Sequence, residues 1–276
     1  MTYWTAIFLG IVQGLAEFLP ISSSGHLAVF QKFLNIGAAD GHMLFDVLLH
    51  LGTLAAVILA FWKDVSSLWT EALMMAHLKK IPRGKKPDRL SRRMILFIIL
   101  GTLPLLLVIF FKDAVESLYD NTFFIGFAFL VTGVLLFLAD RLGHGDKNEK
   151  SATVSDVLIV GLAQALAVTP GLSRSGTTIS AGMLRGFDRG FAVRFSFLLS
   201  IPAVLGANIL SLVDAIRAGI EWSYVPMYLV GVAAAFVAGY GAIYLLRMLV
   251  QRGKFGGFAY YCWGAGLVTL ILSLVA

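Results

Sequence analysis

The chain has 276 residues, of which 58% are hydrophobic and only 14% charged, with a formal net charge of +6. That balance excludes an ordinary water-soluble domain and makes the bilayer the solvent the fold must satisfy. The positive charge is concentrated rather than spread as a nucleic-acid surface: eight Lys or Arg lie between Lys79 and Arg93 against one acid, Asp88, the pattern of a cytoplasmic loop. A single cysteine, Cys262, excludes an intramolecular disulfide framework and a Cys-rich zinc site.

The opening residues, MTYWTAIFLG, lack the basic start of a cleavable signal, so the N-terminus is expected to remain in the mature protein. Residues 4 to 33 are apolar but interrupted by FLPISSSGH, and residues 153 to 183 are interrupted in the same way by TPGLSRSGTT. Proline breaks the helical ladder, and broken backbone at membrane depth is tolerated only inside protein or along a cavity. Six other segments are long enough to cross, near 43 to 62, 94 to 112, 122 to 139, 195 to 213, 224 to 246 and 256 to 275.

With the 63 to 93 loop inside, alternation puts 113 to 121 and 214 to 223 outside, and 140 to 152 and 247 to 255 inside. Arg247, Arg252 and Lys254, and separately Arg185, Arg189 and Arg194, fall where this scheme wants inside charge. The scheme closes only if 4 to 33 and 153 to 183 do not cross. Both therefore read as re-entrant helical hairpins, the first entering from outside and the second from inside, with tips that meet near the midplane and both termini outside.

The two hairpins are copies. GIVQGLAEFLPISSSGH (10 to 26) over GLAQALAVTPGLSRSGT (161 to 177) matches Gly10, Gln13, Leu15, Ala16, Ser22, Ser24 and Gly25 with Gly161, Gln164, Leu166, Ala167, Ser173, Ser175 and Gly176. FDVLLHLGTLAA (45 to 56) lies over FSFLLSIPAVLG (195 to 206), and GFAFLVTG (126 to 133) over GFAYYCWG (257 to 264). The expected fold is all-α and polytopic, with residues 1 to 139 as one repeat, a polar linker at 140 to 152, and residues 153 to 276 as the second. Three spans per half make the second inverted, an architecture many secondary transporters share.

The copies differ where chemistry needs asymmetry: Glu17 faces Val168, Ser23 faces Arg174, and His26 faces Thr177. A charge at the centre of a membrane helix costs about 2.5 to 3.5 kcal/mol on insertion scales, so Glu17 and Arg174 need each other or a ligand. Gln13 and Glu17 share a helix face. The Ser/Gly clusters sit at helix N-termini, whose free N–H groups and dipole favour anions. Two such ends and a guanidinium read as a phosphate or diphosphate cradle. His26, three residues after Ser23, is a candidate base, acid or nucleophile.

Blander readings compete. Ser22, Ser175, Thr178 and Ser180 could simply cap or bond backbone, and Arg174 could pair structurally with Glu17. Asp46 and His50, four apart, are divided between site and interface. His42, His77 and His144 fall in solvated loops. Gly10 with Gly14, and Gly182 with Gly186, are expected at close helix packing. Trp62, Trp222 and Tyr224 are expected as interfacial anchors.

QGLAEFLPISSSGH and PGLSRSGTTIS closely resemble the two signature segments of the undecaprenyl-diphosphate phosphatase family, the bacitracin-resistance proteins, and the likeness extends over essentially the whole chain. The resemblance implies a bacterial inner-membrane hydrolase that removes the terminal phosphate of undecaprenyl diphosphate, recycling the carrier lipid of peptidoglycan synthesis. It implies a site open to the outer face, a divalent cation such as Mg2+ or Ca2+, and a homodimer. It marks Glu17, Ser22, Ser23, His26, Ser173, Arg174, Ser175 and Thr178 as functional, with Ser24 and Gly176 beside them at the cradle and Glu17 with Gln13 as candidate metal ligands. The family often has Glu at position 13, which places the essential carboxylate on Glu17. Three mechanisms stay open: attack by Ser23 with His26 as base, activation of water by Glu17 and His26, and attack by His26 itself. A transporter or flippase for an anionic lipid or small anion is the alternative class.

Overall fold

The computed structural model describes residues 1–33, 43–78 and 87–275, and every element among them is helical. The first hairpin is α1 (Tyr3–Phe18) and α2 (Ser23–Phe33). There follow α3 (Met43–Ala60), α4 (Trp62–Met75) and α5 (Arg89–Thr102), which continues as a 3-10 stretch (Leu103–Phe111) into the short α6 (Lys112–Ser117) and then α7 (Thr122–Leu142). The second half runs through the hairpin α8 (Val154–Leu166) and α9 (Arg174–Leu184), then α10 (Arg189–Ala218), α11 (Val225–Gln251) and α12 (Gly257–Val275).

Length decides which helices cross. Five helical segments among the described residues are long and apolar enough, namely Arg89–Ser117, Thr122–Leu142, Arg189–Arg217, Trp222–Gln251 and Gly257–Val275, and the bent pair α3 and α4, counted as one, makes a sixth. At 1.5 Å per residue α1 spans about 24 Å and α8 about 20 Å, short of a core about 30 Å thick. Side-chain contacts fix the hairpins as re-entrant. Asp156 at the start of α8 binds Arg185 at the end of α9, 2.8 Å away, so this hairpin begins and ends on one face. On that face Arg194 meets Asp64 at 2.6 Å, Arg189 meets Asp140 at 2.7 Å, and Arg92 meets Glu71 at 3.0 Å, which gathers the segments around 64, 92, 140 and 190. It is called the inner face below, after the side on which its charge is expected. On the opposite face Lys112 reaches Asp214 at 3.4 Å, and Lys32 near the end of α2 donates to the Asp120 carbonyl at 3.3 Å. The alternation read from charge therefore holds in three dimensions.

Packing is reciprocal between the halves. The first hairpin helix α1 lies on α11, the second span of the other half, and α8 lies on α5, the second span of the first. A Cβ on Gly10 would collide with the Gly231 carbonyl, and one on its repeat mate Gly161 would stand 2.5 Å from the Gly101 carbonyl. Gly14 fits against Ala235 in the same seam. Backbones this close gain dispersion contacts, the main force between helices in lipid. The third spans, α7 and α12, pack on each other.

Three expectations are corrected. Residues 62 to 75, expected as loop, form α4, bent 89° from α3, with Trp62 and Trp69 exposed; its Lys, Asp, Ser and Glu residues mask an amphipathic helix that runs across the end of the bundle. The second span is longer than 94 to 112 and changes at Pro104, which cannot donate into the ladder and is followed by 3-10 turns. Asp88 opens it as N-cap, and the Ser91 hydroxyl together with backbone amides holds the Asp88 carboxyl below the usual carboxylate range. Of the pair Gly182 and Gly186, only Gly182 serves close packing, a Cβ there standing 2.9 Å from the Phe187 ring and 3.5 Å from Ala192 Cβ of α10, whereas Gly186, with φ +87°, ends α9. His77 and His144 are exposed as expected, while His42 lies outside the described residues.

Candidate active site

The site forms where the hairpin tips touch. Ser22 and Ser173, repeat mates, cap α2 and α9: Ser22 Oγ accepts from Gly25 N–H at 3.3 Å and Ser173 Oγ from Gly176 N–H at 3.1 Å. Their hydroxyls lie 3.4 Å and 3.3 Å from those of Ser24 and Ser175. Caps satisfy N–H groups that would otherwise be orphaned away from water. The match is not complete, because Ser22 has φ +69°, a left-handed conformation rare for a side-chain-bearing residue. Ser175 Oγ donates to the Leu19 carbonyl at 3.4 Å, and a Cβ on Gly176 would press on Pro20 at 3.1 Å, so the two tips are in contact.

With Ser22 and Ser173 as caps, Ser23 and Arg174 occupy equivalent first positions of α2 and α9. Both reach the same carboxylate. Ser23 Oγ donates to Glu17 Oε2 at 2.6 Å, and the Arg174 guanidinium donates to Oε1. Gln13 Nε2 donates to Oε2 at 3.0 Å. The Glu17 and Arg174 side chains are 8% and 17% exposed, so this is a buried ion pair that removal of either partner would leave uncompensated. Side chains at the first positions of both helices therefore hold Glu17.

Histidine placement departs from the simplest expectation. His26 Nδ1 donates to the Ser22 carbonyl at 2.8 Å, which leaves Nε2 to accept from the Tyr261 hydroxyl at 2.7 Å. Neither ring nitrogen bonds to Ser23 or Glu17. His50, undecided on sequence, is at the site: Nδ1 donates to the Asp46 carbonyl at 2.8 Å, and Nε2 stands 3.9 Å from Glu17 Oε2. Thr178 is turned away, its hydroxyl donating to the Arg174 carbonyl at 2.8 Å and lying 2.6 Å from Ser196 Oγ. The arrangement thus brings together Gln13, Glu17, Ser23, Arg174 and His50, with Ser24 half-buried beside them. It uses Ser22, Ser173, Ser175 and Thr178 to build the tips, and Ser180 is buried without a partner.

Sequence reasoning missed Tyr261 and Thr132. Thr132 Oγ1 donates to the Gly171 carbonyl at 3.1 Å and accepts from Ser173 N–H at 3.2 Å, tying the second tip to α7. Both residues lie in the paired GFAFLVTG and GFAYYCWG segments, whose polar members were the available signal.

The residues fit a divalent cation in part. Gln13 must turn its amide N–H to the carboxylate, and its Oε1 is then buried with no partner. An unsatisfied carbonyl oxygen beside a carboxylate is a pair of hard donors. No cluster of three His, Cys, Asp or Glu suited to a metal occurs among the described residues. That donor set suits an ion which takes few protein ligands and completes its shell with water and phosphate oxygens, the habit of Mg2+ more than of Ca2+.

Crossed re-entrant hairpins with a buried acid, hydroxyl and guanidinium at their meeting point define a polytopic membrane protein with a site built for an anionic group. The chain belongs to the bacitracin resistance protein BacA family, whose model matches residues 6–268. It is 41% identical over 276 residues to an undecaprenyl-diphosphatase of Alkaliphilus metalliredigens, covering 100% of both chains. It is 40% identical over 274 residues to one of Halothermothrix orenii, covering 99% of each, and 40% identical over 276 residues to one of Carboxydothermus hydrogenoformans, covering 99% of this chain and 98% of the relative.

Proposed function

We propose that this protein is an undecaprenyl-diphosphate phosphatase of the bacterial plasma membrane that releases inorganic phosphate and returns undecaprenyl phosphate to cell-wall synthesis, with bacitracin resistance as a consequence. One observation carries the mechanistic reading: Ser23 Oγ donates to Glu17 Oε2 at 2.6 Å beside the Arg174 guanidinium. A nucleophile and its base are already in hydrogen-bond reach, next to the cation that a phosphoryl group requires.

When a diphosphate enters, its greater charge and matching oxygens draw the Arg174 fork from Glu17, and the N–H groups at the start of α9 add to the cradle. Glu17 Oε2, already hydrogen-bonded to the hydroxyl, accepts the Ser23 proton as Oγ attacks the terminal phosphorus. The bond from that phosphorus to the bridging oxygen breaks, undecaprenyl phosphate departs, and the proton on Glu17 passes to it. Water then attacks the phosphoserine, giving one proton to Glu17, which returns it to Ser23 Oγ as phosphate leaves. A divalent cation held by Glu17 and the Gln13 carbonyl oxygen would supply charge neutralisation on the diphosphate. His26, fixed by Ser22 and Tyr261, positions the α2 tip in this reading and is not the proton acceptor.

Arg92, Arg189 and Arg194, gathered on the inner face, support a cytoplasmic placement of that face, with both termini outside. The site then opens toward the periplasm or cell exterior. The homodimer implied by the resemblance belongs to the same reading; sedimentation of the protein in detergent tests it separately. For the activity itself, purified protein is incubated with undecaprenyl diphosphate and Mg2+, with and without chelator, and phosphate release is measured. Metal-dependent release by wild type but not by Arg174→Ala is expected. Absence of release from folded wild-type protein would overturn the assignment.

A further inference from the structure

A second polar feature lies on the inner face, remote from the hairpin tips. The end of α4, the first two turns of α5 and the linker before α8 border an open cavity of about 540 Å3. Among the described residues four cations line it, Arg89, Arg92, Arg93 and Lys150, and no acid does. Arg92 is engaged by Glu71, and Arg93 Nη2 donates to the Ala152 carbonyl at 2.6 Å, while Arg93 Nε is buried without a partner. Among the described residues neither the Arg89 guanidinium nor the Lys150 ammonium has a carboxylate partner. The rest of the lining is apolar and open: Met75, Leu90 and Leu96 are 45%, 36% and 48% exposed.

The level of the cavity matters as much as its charge. It adjoins α4, which turns 89° from the spanning α3 and exposes Trp62 and Trp69, residues that favour the membrane interface. Uncompensated cations beside exposed apolar side chains at headgroup depth match an amphiphile; a water-soluble anion would have no use for the leucines. We propose that this cavity binds the phosphodiester headgroup of an anionic phospholipid from the adjacent leaflet, with Arg89 and Lys150 on the phosphate and Leu90, Leu96 and Met75 against the first methylenes of its acyl chains. The inference does not depend on the phosphatase reading, because none of these residues belongs to the tip site.

The test compares wild type with the double variant Arg89→Ala, Lys150→Ala. Arg92 and Arg93 keep their bonds in that variant, and loss of a cation at the N-terminus of α5 does not oppose the helix dipole. Full-length protein in mild detergent is titrated with dioleoyl phosphatidylglycerol or dioleoyl phosphatidylcholine, bound lipid is counted by native mass spectrometry, and thermal unfolding is followed in parallel. Wild type should retain phosphatidylglycerol over phosphatidylcholine, and the double variant should lose about tenfold or more of its affinity for the anionic lipid. Inorganic phosphate at the same concentration should displace none of it. Equal retention of the two lipids by wild type, undiminished phosphatidylglycerol binding by a variant that unfolds at the wild-type temperature, or displacement by phosphate alone would each overturn the proposal.

Discussion

The two hairpin tips are built alike and equipped differently. Each has a capping serine, a second serine 3.3 to 3.4 Å from it, and a glycine where the other tip presses close. Each rests on a glycine-lined seam with a span of the opposite half. Yet one tip carries Glu17, Ser23 and His26 where the other carries Val168, Arg174 and Thr177. Duplication supplied two converging helix N-termini, and divergence at three positions placed an acid and a hydroxyl on one side of the junction and a guanidinium on the other. Scaffold and chemistry are therefore separable, and substitutions should sort accordingly.

The largest effect is expected at Arg174. Arg174→Ala removes the phosphate clamp and leaves Glu17 charged and buried, so phosphate release should fall by about a thousandfold or more. Unfolding should become easier by about 3 to 5 kcal/mol. Adding Glu17→Gln should restore much of the stability and none of the activity, which thermal unfolding and turnover together would reveal. Next come the two residues that differ beside it. Ser23→Ala should cost about a thousandfold in turnover with little change in unfolding, whereas His26→Thr, which copies the second tip into the first, should cost about ten- to a hundredfold. Equal losses would mean that His26 acts on the proton after all.

Scaffold substitutions should be smaller and paired. Gly10→Ala and Gly161→Ala each push a methyl into a facing carbonyl, and each should destabilise by about 1 to 3 kcal/mol while the folded fraction keeps its specific activity. Ser22→Ala and Ser173→Ala should each cost about 1 kcal/mol as lost caps. Ser22→Gly should recover part of that loss and Ser173→Gly should not, because only residue 22 adopts φ +69°, which glycine reaches without a Cβ penalty. Indistinguishable unfolding temperatures would remove that asymmetry from the comparison.

Much of this was legible because the bilayer simplifies the code. Proline with a Ser/Gly run inside an apolar stretch admits few structures besides a re-entrant turn, and charge asymmetry fixes which ends share a face. The acid, hydroxyl and guanidinium stood out because lipid penalises them individually. What stayed hidden was either amphipathic or distant. In α4, Lys63, Asp64, Ser66, Ser67 and Glu71 read as loop because the cue for a surface helix is its periodicity and not its mean polarity. The choice of Tyr261 by His26 spans 235 residues, and no local pattern announces it. Spacing puts His50 and Asp46 on one face of α3 but leaves that face divided between site and interface, because the approach of His50 to Glu17 depends on how α1 and α3 pack.

The central claim is that Ser23, with its proton held toward Glu17, attacks the terminal phosphorus. Its most direct test is rapid acid quench of wild-type protein turning over undecaprenyl diphosphate labelled in the terminal phosphate, followed by peptide mapping. Label on the peptide containing Ser23, formed and lost at rates compatible with turnover and absent from Ser23→Ala, is the predicted result. Turnover at the wild-type rate by Ser23→Ala, or label on His26, would contradict the account.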